Sequence, residues 1–344
     1  GQNWVVTGGL CPSVGVASFV QGGGVGPAVR LHGMAIDSVL AFELVTGNGS
    51  RIVNASAAEN ADLFWALRGG GGGNFGVVTS LTMRVYPGPH GDSYAWGSVC
   101  WPYTHEGAER VILAAGSIAP TLPPWINVDV VTSRKGGSCL WVVSIGGLAE
   151  TREALHPVLA AIGDPSAAND TLQSHNCWWE MISSFALERG YTEFDAKPFF
   201  SKNILVDEVT AKLASDLALQ GRAAPENCDG THLIAFSGTH SRSRDVEVAF
   251  PWRDSSYMVY ASCSYDEGEN DSKAAASAFL DGWMAATTSH SNGGSYVNFI
   301  DPRGRQAADA RYYGSNVEKL RRVKSRWNPW GVGPLHFPLE LLER

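Results

Sequence analysis

The sequence predicts an α+β protein whose main part is an antiparallel sheet covered by helices on one face. Three observations predict it. Runs rich in Val, Ile and aromatic residues read as strands at 127–132, 140–145, 233–237 and 257–264. Helical stretches alternate with them at 105–117, 149–162, 206–219 and 273–288, a succession that points to helices packed on a sheet. Finally, 344 residues with 44% hydrophobic and 17% charged side chains suit a folded chain with a large core.

Residues 1–87 differ in composition. They are rich in Gly and β-branched residues and read as short strands joined by tight loops. One helix is expected over 57–67, with Ser56 as its N-cap and the glycine run Gly69–Gly73 as its stop. A strand follows, and from Ser80 its polar and apolar residues alternate to Val85, the pattern of a half-buried strand. Tyr86-Pro87-Gly88-Pro89 breaks that pattern, so a domain boundary is placed after residue 87. The second unit runs over 88–295, and 296–344 forms a closing segment. Its helix ends in Leu320-Arg321-Arg322-Val323-Lys324, read as a solvated basic end interacting with the helix dipole.

Charge and composition exclude several classes. The net charge is -8, from 26 basic and 34 acidic residues, which disfavours a nucleic-acid partner. No basic run suits a membrane surface, and no stretch offers the about 18 apolar residues of a span. The chain opens on Gly1-Gln2-Asn3-Trp4 with no Met and no signal peptide, so an internal beginning is expected. Asn48, Asn54, Asn169 and Asn270 each begin an Asn-x-Ser/Thr sequon, which leans toward glycosylation and secretion. The six cysteines are Cys11, Cys100, Cys139, Cys177, Cys228 and Cys263. None forms a C-x-x-C pair, so zinc and thioredoxin-type sites are disfavoured and no metal is expected.

The glycines carry the strongest local signal. Gly71, Gly73 and Gly76 fit the G-x-G-x-x-G spacing, but a helix precedes and a strand follows, the reverse of the dinucleotide-binding order. Six glycines within Gly69–Gly76 still call for a reason: left-handed backbone, or close approach of something flat. A second cluster, Gly22-Gly23-Gly24-Val25-Gly26-Pro27, lies earlier. Together they suggest a cofactor bracketed by backbone N–H groups. No P-loop lysine is present, and Cys11-Pro12-Ser13-Val14-Gly15 narrowly misses the nucleophile elbow of a hydrolase. Cys11 lies on a glycine-flanked turn. Its alternatives are an inert buried thiol and a functional one.

These stretches resemble a family. Residues 9–16, 21–27 and 32–37 resemble the flavin-binding region of berberine bridge enzyme-like oxidases, fungal type, in the vanillyl-alcohol oxidase superfamily. Residues 60–79, Asn-Ala-Asp-Leu-Phe-Trp-Ala-Leu-Arg followed by the glycine run and Asn-Phe-Gly-Val-Val-Thr, are similar to its second signature. Residues 296–301, 312–316 and 320–324 are similar to its closing segment.

The resemblance implies the second half of a PCMH-type FAD-binding domain over 1–87, a substrate domain over 88–295 and a return to the FAD domain over 296–344. It implies FAD bonded covalently through Cys11, with a further histidine link upstream. It places Val14, Gly15, Gly22, Gly26, Gly76, Val78, Asn298, Tyr313 and Asn316 around the cofactor. Tyr296, in the Y-x-N pattern, becomes the catalytic base, with Glu247 and His240 as further candidates. The implied chemistry removes a proton to that base and a hydride to flavin N5, with oxygen as final acceptor. Such a tyrosine needs its pKa brought down from about 10, and the sequence shows no neighbour that does so.

The family's N-terminal subdomain has no counterpart in the sequence. A separate N-terminal chain of the same flavoprotein is therefore expected as partner, beside a small-molecule substrate. With Cys11 on the flavin, five cysteines remain, and an odd number leaves a free thiol or a bridge to another chain. The expected activity is FAD-dependent oxidation of an alcohol, a sugar or a secondary metabolite. The alternatives are a non-redox isomerase or cyclase on the same scaffold, and a non-enzymatic glycoprotein. Trp178-Trp179, read as adjacent strand residues facing opposite ways, is the aromatic pair singled out for a pocket.

Overall fold

The computed structural model describes residues 3–9, 14–47, 52–88, 93–163, 169–188, 198–235, 247–266, 270–301 and 308–329. The first part is small-scale. Strand β1 (Trp4–Val5) and the short helices α1 (Val16–Gln21) and α2 (Val29–His32) come first. Then come β2 (Val39–Thr46), β3 (Ile52–Ser56), helix α3 (Ala61–Leu67), β4 (Gly76–Met83) and β5 (Tyr86–Pro87). β2 lies between β3 and β4 in a three-stranded sheet, and β1 pairs with β5. Leu63, Phe64, Trp65, Ala66 and Leu67 of α3 are all buried, against Phe42 and Leu44 of β2.

The helix of this part starts four residues later than expected. Ser56 Oγ accepts from the N–H groups of Ala58 and Glu59, at 3.3 and 3.2 Å, and so closes a turn instead of capping a helix. Asn60, at φ 51°, then precedes the first helical turn in a left-handed conformation that Asn tolerates. The glycine run after α3 and the strand β4 beyond it have the predicted order.

The second part opens with β6 (Tyr94–Trp101), α4 (His105–Ile118), β7 (Ile126–Ser133), β8 (Gly137–Ser144) and α5 (Leu148–Ile162). It continues through β9 (Asn169–Asp170), β10 (Gln173–His175), α6 (Trp178–Glu188), β11 (Phe199–Val206), α7 (Ala211–Ala223) and β12 (Thr231–Ala235). It ends with β13 (Tyr257–Ser264) and α8 (Asn270–Thr287), before the closing helices α9 (Ala308–Tyr313) and α10 (Val317–Trp327). Eight strands form one antiparallel sheet in the order β10-β6-β8-β7-β12-β13-β11, with β9 also on β6.

Register decides what each face carries, because directly paired residues share a face. Val128, Val130, Leu140, Val142, Leu233 and Val259 point to α4, α5, α7 and α8, where Val111, Ile112, Leu155, Leu213, Leu217 and Leu280 meet them. Each such aliphatic side chain contributes about 1.5–3 kcal/mol by leaving water. The opposite face carries Trp96, Asn127, Asp129, Trp141, His232, Tyr260 and Asn203. The covered sheet is the expected one; its second face is polar and aromatic.

Two disulfides staple neighbouring strands. Cys100 and Cys139 face each other across β6 and β8, and Cys228 bridges to Cys263 of β13. Cys177 is the free cysteine among the described residues, so the free-thiol branch of the cysteine count applies to it. Cys11 lies outside the described residues.

Three expectations are corrected. Trp178 and Trp179 open α6, so they are not strand neighbours: Trp178 lies 6.0 Å from Tyr94 by ring centres, and Trp179 is 76% exposed. The stretch 206–219 is the end of β11, a loop and α7. The basic end of α10 is not uniformly solvated: Arg322 is exposed, while Lys324 is 1% exposed. Among the described residues no helix is long and apolar enough to cross a membrane.

Candidate active site

Tyr296 sits where the closing segment meets both parts of the fold. Its backbone is held by Asn203 of β11: Tyr296 N donates to Asn203 Oδ1 at 2.6 Å, and Asn203 Nδ2 donates to the carbonyls of Tyr296 and Phe299 at 3.1 and 2.9 Å. Its phenol reaches the first glycine cluster. The oxygen accepts from Gly24 N at 2.9 Å, Val25 N at 3.0 Å and Asn298 Nδ2 at 2.8 Å. Three N–H groups converging on one oxygen are what a developing phenolate needs. Tyr296 is 3% exposed, and burial pushes its pKa up to about 12, outweighing the Val25, Asn298 and Gly24 donors, so this environment does not give the lowered pKa that the sequence reading required of a tyrosine base.

An aromatic column joins this tyrosine to the polar sheet face. Phe299 stands edge-on to Tyr296, with centres 5.7 Å apart, and stacks on Tyr260 at 4.8 Å. Tyr260 in turn stacks on His232 at 4.3 Å. Asp129 and Asn127 lie along the same face, with Asn127 Nδ2 donating to Asp129 Oδ1 at 3.3 Å. The arrangement is a buried phenol beside a wall of aromatic planes, carboxylate and amide.

The glycine clusters are occupied chiefly by the protein itself. A side chain on Gly22 would meet the Asn298 amide, and one on Gly26 the Gly8 carbonyl. Gly71, at φ +85°, leaves room for the Tyr313 hydroxyl. Gly76, at φ +146°, lies against the Val45 carbonyl. So the close approach expected of a cofactor is made at these positions by neighbouring chain. Conditions differ around Cys11. Gly8 and Gly15, on either side of it, have open space where a side chain would go, and Val14 and Val16 are 42% and 57% exposed.

The second glycine loop is clamped from the C-terminal helix. Asn74 Nδ2 donates to the Gly70 carbonyl at 2.8 Å, Lys324 Nζ donates to Asn74 Oδ1 at 3.3 Å, and Asn328 Nδ2 donates to the Asn74 carbonyl at 2.9 Å. That is why Lys324 is buried. Nearby, Arg253 pairs with Asp37 at 2.8 Å, both largely buried, and Arg68 donates to the Glu247 carbonyl at 2.7 Å. Burial raises the Asp37 pKa and Arg253 opposes the rise; burial lowers Arg68 to about 10.

A stability prediction follows from this pair. Arg253→Leu leaves a buried carboxylate without its partner, at a cost of about 3 kcal/mol at pH 7. A carboxyl whose folded pKa is raised binds more protons folded than unfolded, so its contribution falls as pH rises above the unfolded value. The deficit of the variant should therefore be larger at pH 7 than at pH 4, read from denaturant midpoints at the two pH values. An equal deficit at both would show that Asp37 is not the group left uncompensated.

The structure brings together Gly22, Gly26, Tyr296 and Asn298, and Tyr313 with the Gly71 loop. Val78 is half-buried in β4, paired to Leu44. Asn316 Nδ2 donates to the Ala249 carbonyl at 3.0 Å, so it holds the 249–253 segment. Glu247 is not with Tyr296: its side chain is 87% exposed and lies 3.9 Å from Lys319. A carboxylate at such a surface has no reason to work as a buried base. His240 and Asn48 lie outside the described residues. Asn54 and Asn169 are exposed, on β3 and β9, and Asn270 begins α8. Sequence reasoning missed Asn203, Asn74, Lys324 and Asp129. For Asp129, alternation along 127–132 could have flagged polar residues on one face of a strand; the others carry no local signal.

Residues 295–332 match the family model described as berberine and berberine like. The chain is 28% identical over 342 residues to a carbohydrate oxidase of Microdochium nivale, covering 93% of this chain and 67% of that one. It superposes on the xylooligosaccharide oxidase of Myceliophthora thermophila, solved with xylobiose, with a TM-score of 0.84 at 25% identity, covering 100% of this chain and 74% of that one. For the glucooligosaccharide oxidase of Acremonium strictum, whose structure concerns a 6-S-cysteinyl, 8α-N1-histidyl FAD, the TM-score is 0.85 at 20% identity, covering 100% and 75%. The chain thus spans about two thirds of the curated relative and three quarters of the solved structures. In them the matched region is part of one continuous chain, so the expectation of a separate N-terminal chain has no support. The closing segment thus matches that family model, and along nearly its whole length the chain is similar to carbohydrate oxidases and FAD-linked oxidoreductases, whose fold it shares.

Proposed function

We propose that this chain carries the substrate lobe and much of the flavin lobe of an FAD-dependent oxidase acting on a carbohydrate. The observation that carries the reading is the convergence on Tyr296: three N–H donors at its oxygen, and an aromatic column leading to a polar sheet face. Sugars are recognised by aromatic planes stacked on their apolar faces and by amides and carboxylates on their hydroxyls. Trp96, Trp141, Asn127, Asp129 and His232 supply that combination on one face.

Cys11 would hold FAD covalently, as a cysteine does in the glucooligosaccharide oxidase of Acremonium strictum, and Val14 and Gly15 would flank the ring. FAD supplies the two-electron acceptor, which oxygen then reoxidises. The chain's own part is to bind the sugar, exclude water and take its hydroxyl proton at Tyr296 Oη. Gly24 N, Val25 N and Asn298 Nδ2 hold the oxygen in place for that step. Because burial raises the Tyr296 pKa, the fraction of phenolate grows with pH across the neutral and alkaline range. The rate at low substrate should rise close to tenfold per pH unit there.

The test begins with visible absorption before and after acid precipitation, followed by oxygen consumption with neutral oligosaccharides. Colour in the precipitate and sugar-dependent oxygen uptake support the reading. A colourless protein with no uptake refutes it. A second reading rests on the 3% exposure of Tyr296: the phenol serves as an internal pin for the glycine turn, on a scaffold with another role.

Secretion is part of the proposal, supported by the two disulfides, which persist in oxidising compartments. Expressed through a secretory host, the protein should lose mass on enzymatic deglycosylation. Asn54→Gln and Asn169→Gln should each remove one glycan, both sites being exposed. Unchanged masses would remove the glycoprotein proposal.

A further inference from the structure

We infer that the joint between β11, α8 and α9 is a binding site for a small monovalent anion of the halide class. β11 is the last strand of the large sheet, and the chain around residues 294–301 runs beside it: Leu205 N donates to the Gly294 carbonyl at 2.9 Å. A cavity of about 190 Å³, mouth included, opens at this joint, lined by Lys202, Asn203, Ser295, Asp301, Arg311 and Tyr312. Lys202 and Asn203 are strand neighbours and point to opposite faces. Lys202 turns toward α8, where its Nζ meets Asp281 Oδ1 at 2.6 Å. The site is independent of the role of Tyr296.

The groups left over at this joint are donors. The Tyr312 oxygen accepts from Asp301 N at 3.1 Å, but its own O–H has no acceptor among the described residues, although Tyr312 is 4% exposed. The Arg311 guanidinium makes no hydrogen bond or ion pair among them; its carbonyl alone is used, by Ser295 N at 2.9 Å. Lys202 Nζ pairs with Asp281 and with Asp301 Oδ2, the latter at 3.2 Å, and an ammonium has a third hydrogen. The Asn203 amide is committed to the Tyr296 N–H and to two carbonyls, and Ser295 Oγ donates to the Asn203 carbonyl. A ligand that only accepts fits such a set. Charge makes it monovalent. Asp281 is 59% exposed, so water screens it. Of the other described groups, Lys202 and Arg311 are positive and Asp301 is negative. One anion completes neutrality, and a divalent oxyanion overshoots it. Burial raises the Tyr312 pKa, and the Asp301 N–H and the Arg311 charge oppose the rise, so the guanidinium acts at that hydroxyl. A bound ion therefore ties α9 to the edge strand and to the chain that leads into it.

The test is thermal unfolding of the flavin-loaded full-length protein in sodium chloride and in sodium isethionate at equal ionic strength. Isethionate screens charge equally, but its sulfonate is too bulky to meet all the donors at once. In chloride the midpoint should rise saturably, by about 2–4 °C over its value in isethionate. Arg311→Gln should abolish that rise and keep the parent midpoint in isethionate, because the guanidinium has no described protein partner to lose. Tyr312→Phe, which removes the second spare donor, should need about tenfold more chloride for the same rise. Arg322→Gln, which removes an exposed cation of α10, should keep the full rise. Equal midpoints of the parent in the two salts overturn the assignment, as does a chloride rise that survives in Arg311→Gln. An Arg311→Gln chain that is destabilised equally in both salts, or that fails to fold, also overturns it, by showing that this side chain is a structural contact.

Discussion

Tyr296→Phe should cut kcat by about 10²–10⁴-fold, the range of a single positioned acid or base, and leave the flavin spectrum unchanged. The ring, its edge contact with Phe299 and its burial are all kept by Phe, so packing changes little. What disappears is the oxygen on which Gly24 N, Val25 N and Asn298 Nδ2 converge. Two buried backbone N–H groups then lose their acceptor, at about 1–3 kcal/mol each if no water replaces it. Both effects occur together, and steady-state kinetics alone do not separate them. The pH profile does: a base that has been removed takes its ascending limb with it. A variant that is merely less stable keeps the limb and loses amplitude. Retention of both activity and limb in Tyr296→Phe would leave the pin as the reading of this residue.

Cys11→Ala should release all colour from this chain on acid precipitation. The intact mass of the denatured chain should drop by one FAD relative to the parent. Cys11 is the one covalent attachment proposed within this sequence. Non-covalent flavin retained by the folded variant would separate anchoring from recognition. Covalent flavin that persists in Cys11→Ala would assign the link to another residue.

These two experiments draw on different kinds of legibility. The motif 296–298 could be read directly, because Tyr-x-Asn is contiguous and its two side chains meet: Asn298 Nδ2 donates to Tyr296 Oη. Glu247 could not be judged, because nothing near it in sequence says whether a carboxylate ends 87% exposed or buried. Trp178-Trp179 misled through periodicity: two adjacent aromatic residues suit a strand, yet an 11-residue helix begins there. Lys324 misled through charge. A basic helix end ordinarily faces water, and only the packing of α10 against the Gly70–Asn74 loop gives this ammonium a buried acceptor.

By itself the sequence determined the elements with strong local periodicity. Most of the β7, β8, β13, α4, α5 and α8 stretches are visible in hydrophobic alternation, because alternate burial is written into neighbouring residues. It also determined the family resemblance, whose motifs are contiguous. Tertiary structure decided the rest. Asn203 lies 93 residues from Tyr296, Lys324 lies 250 from Asn74, and Arg253 lies 216 from Asp37. A hydrogen bond depends on donor and acceptor meeting within about 3 Å, and separation along the chain carries no information about which distant pairs the sheet order will bring to that distance.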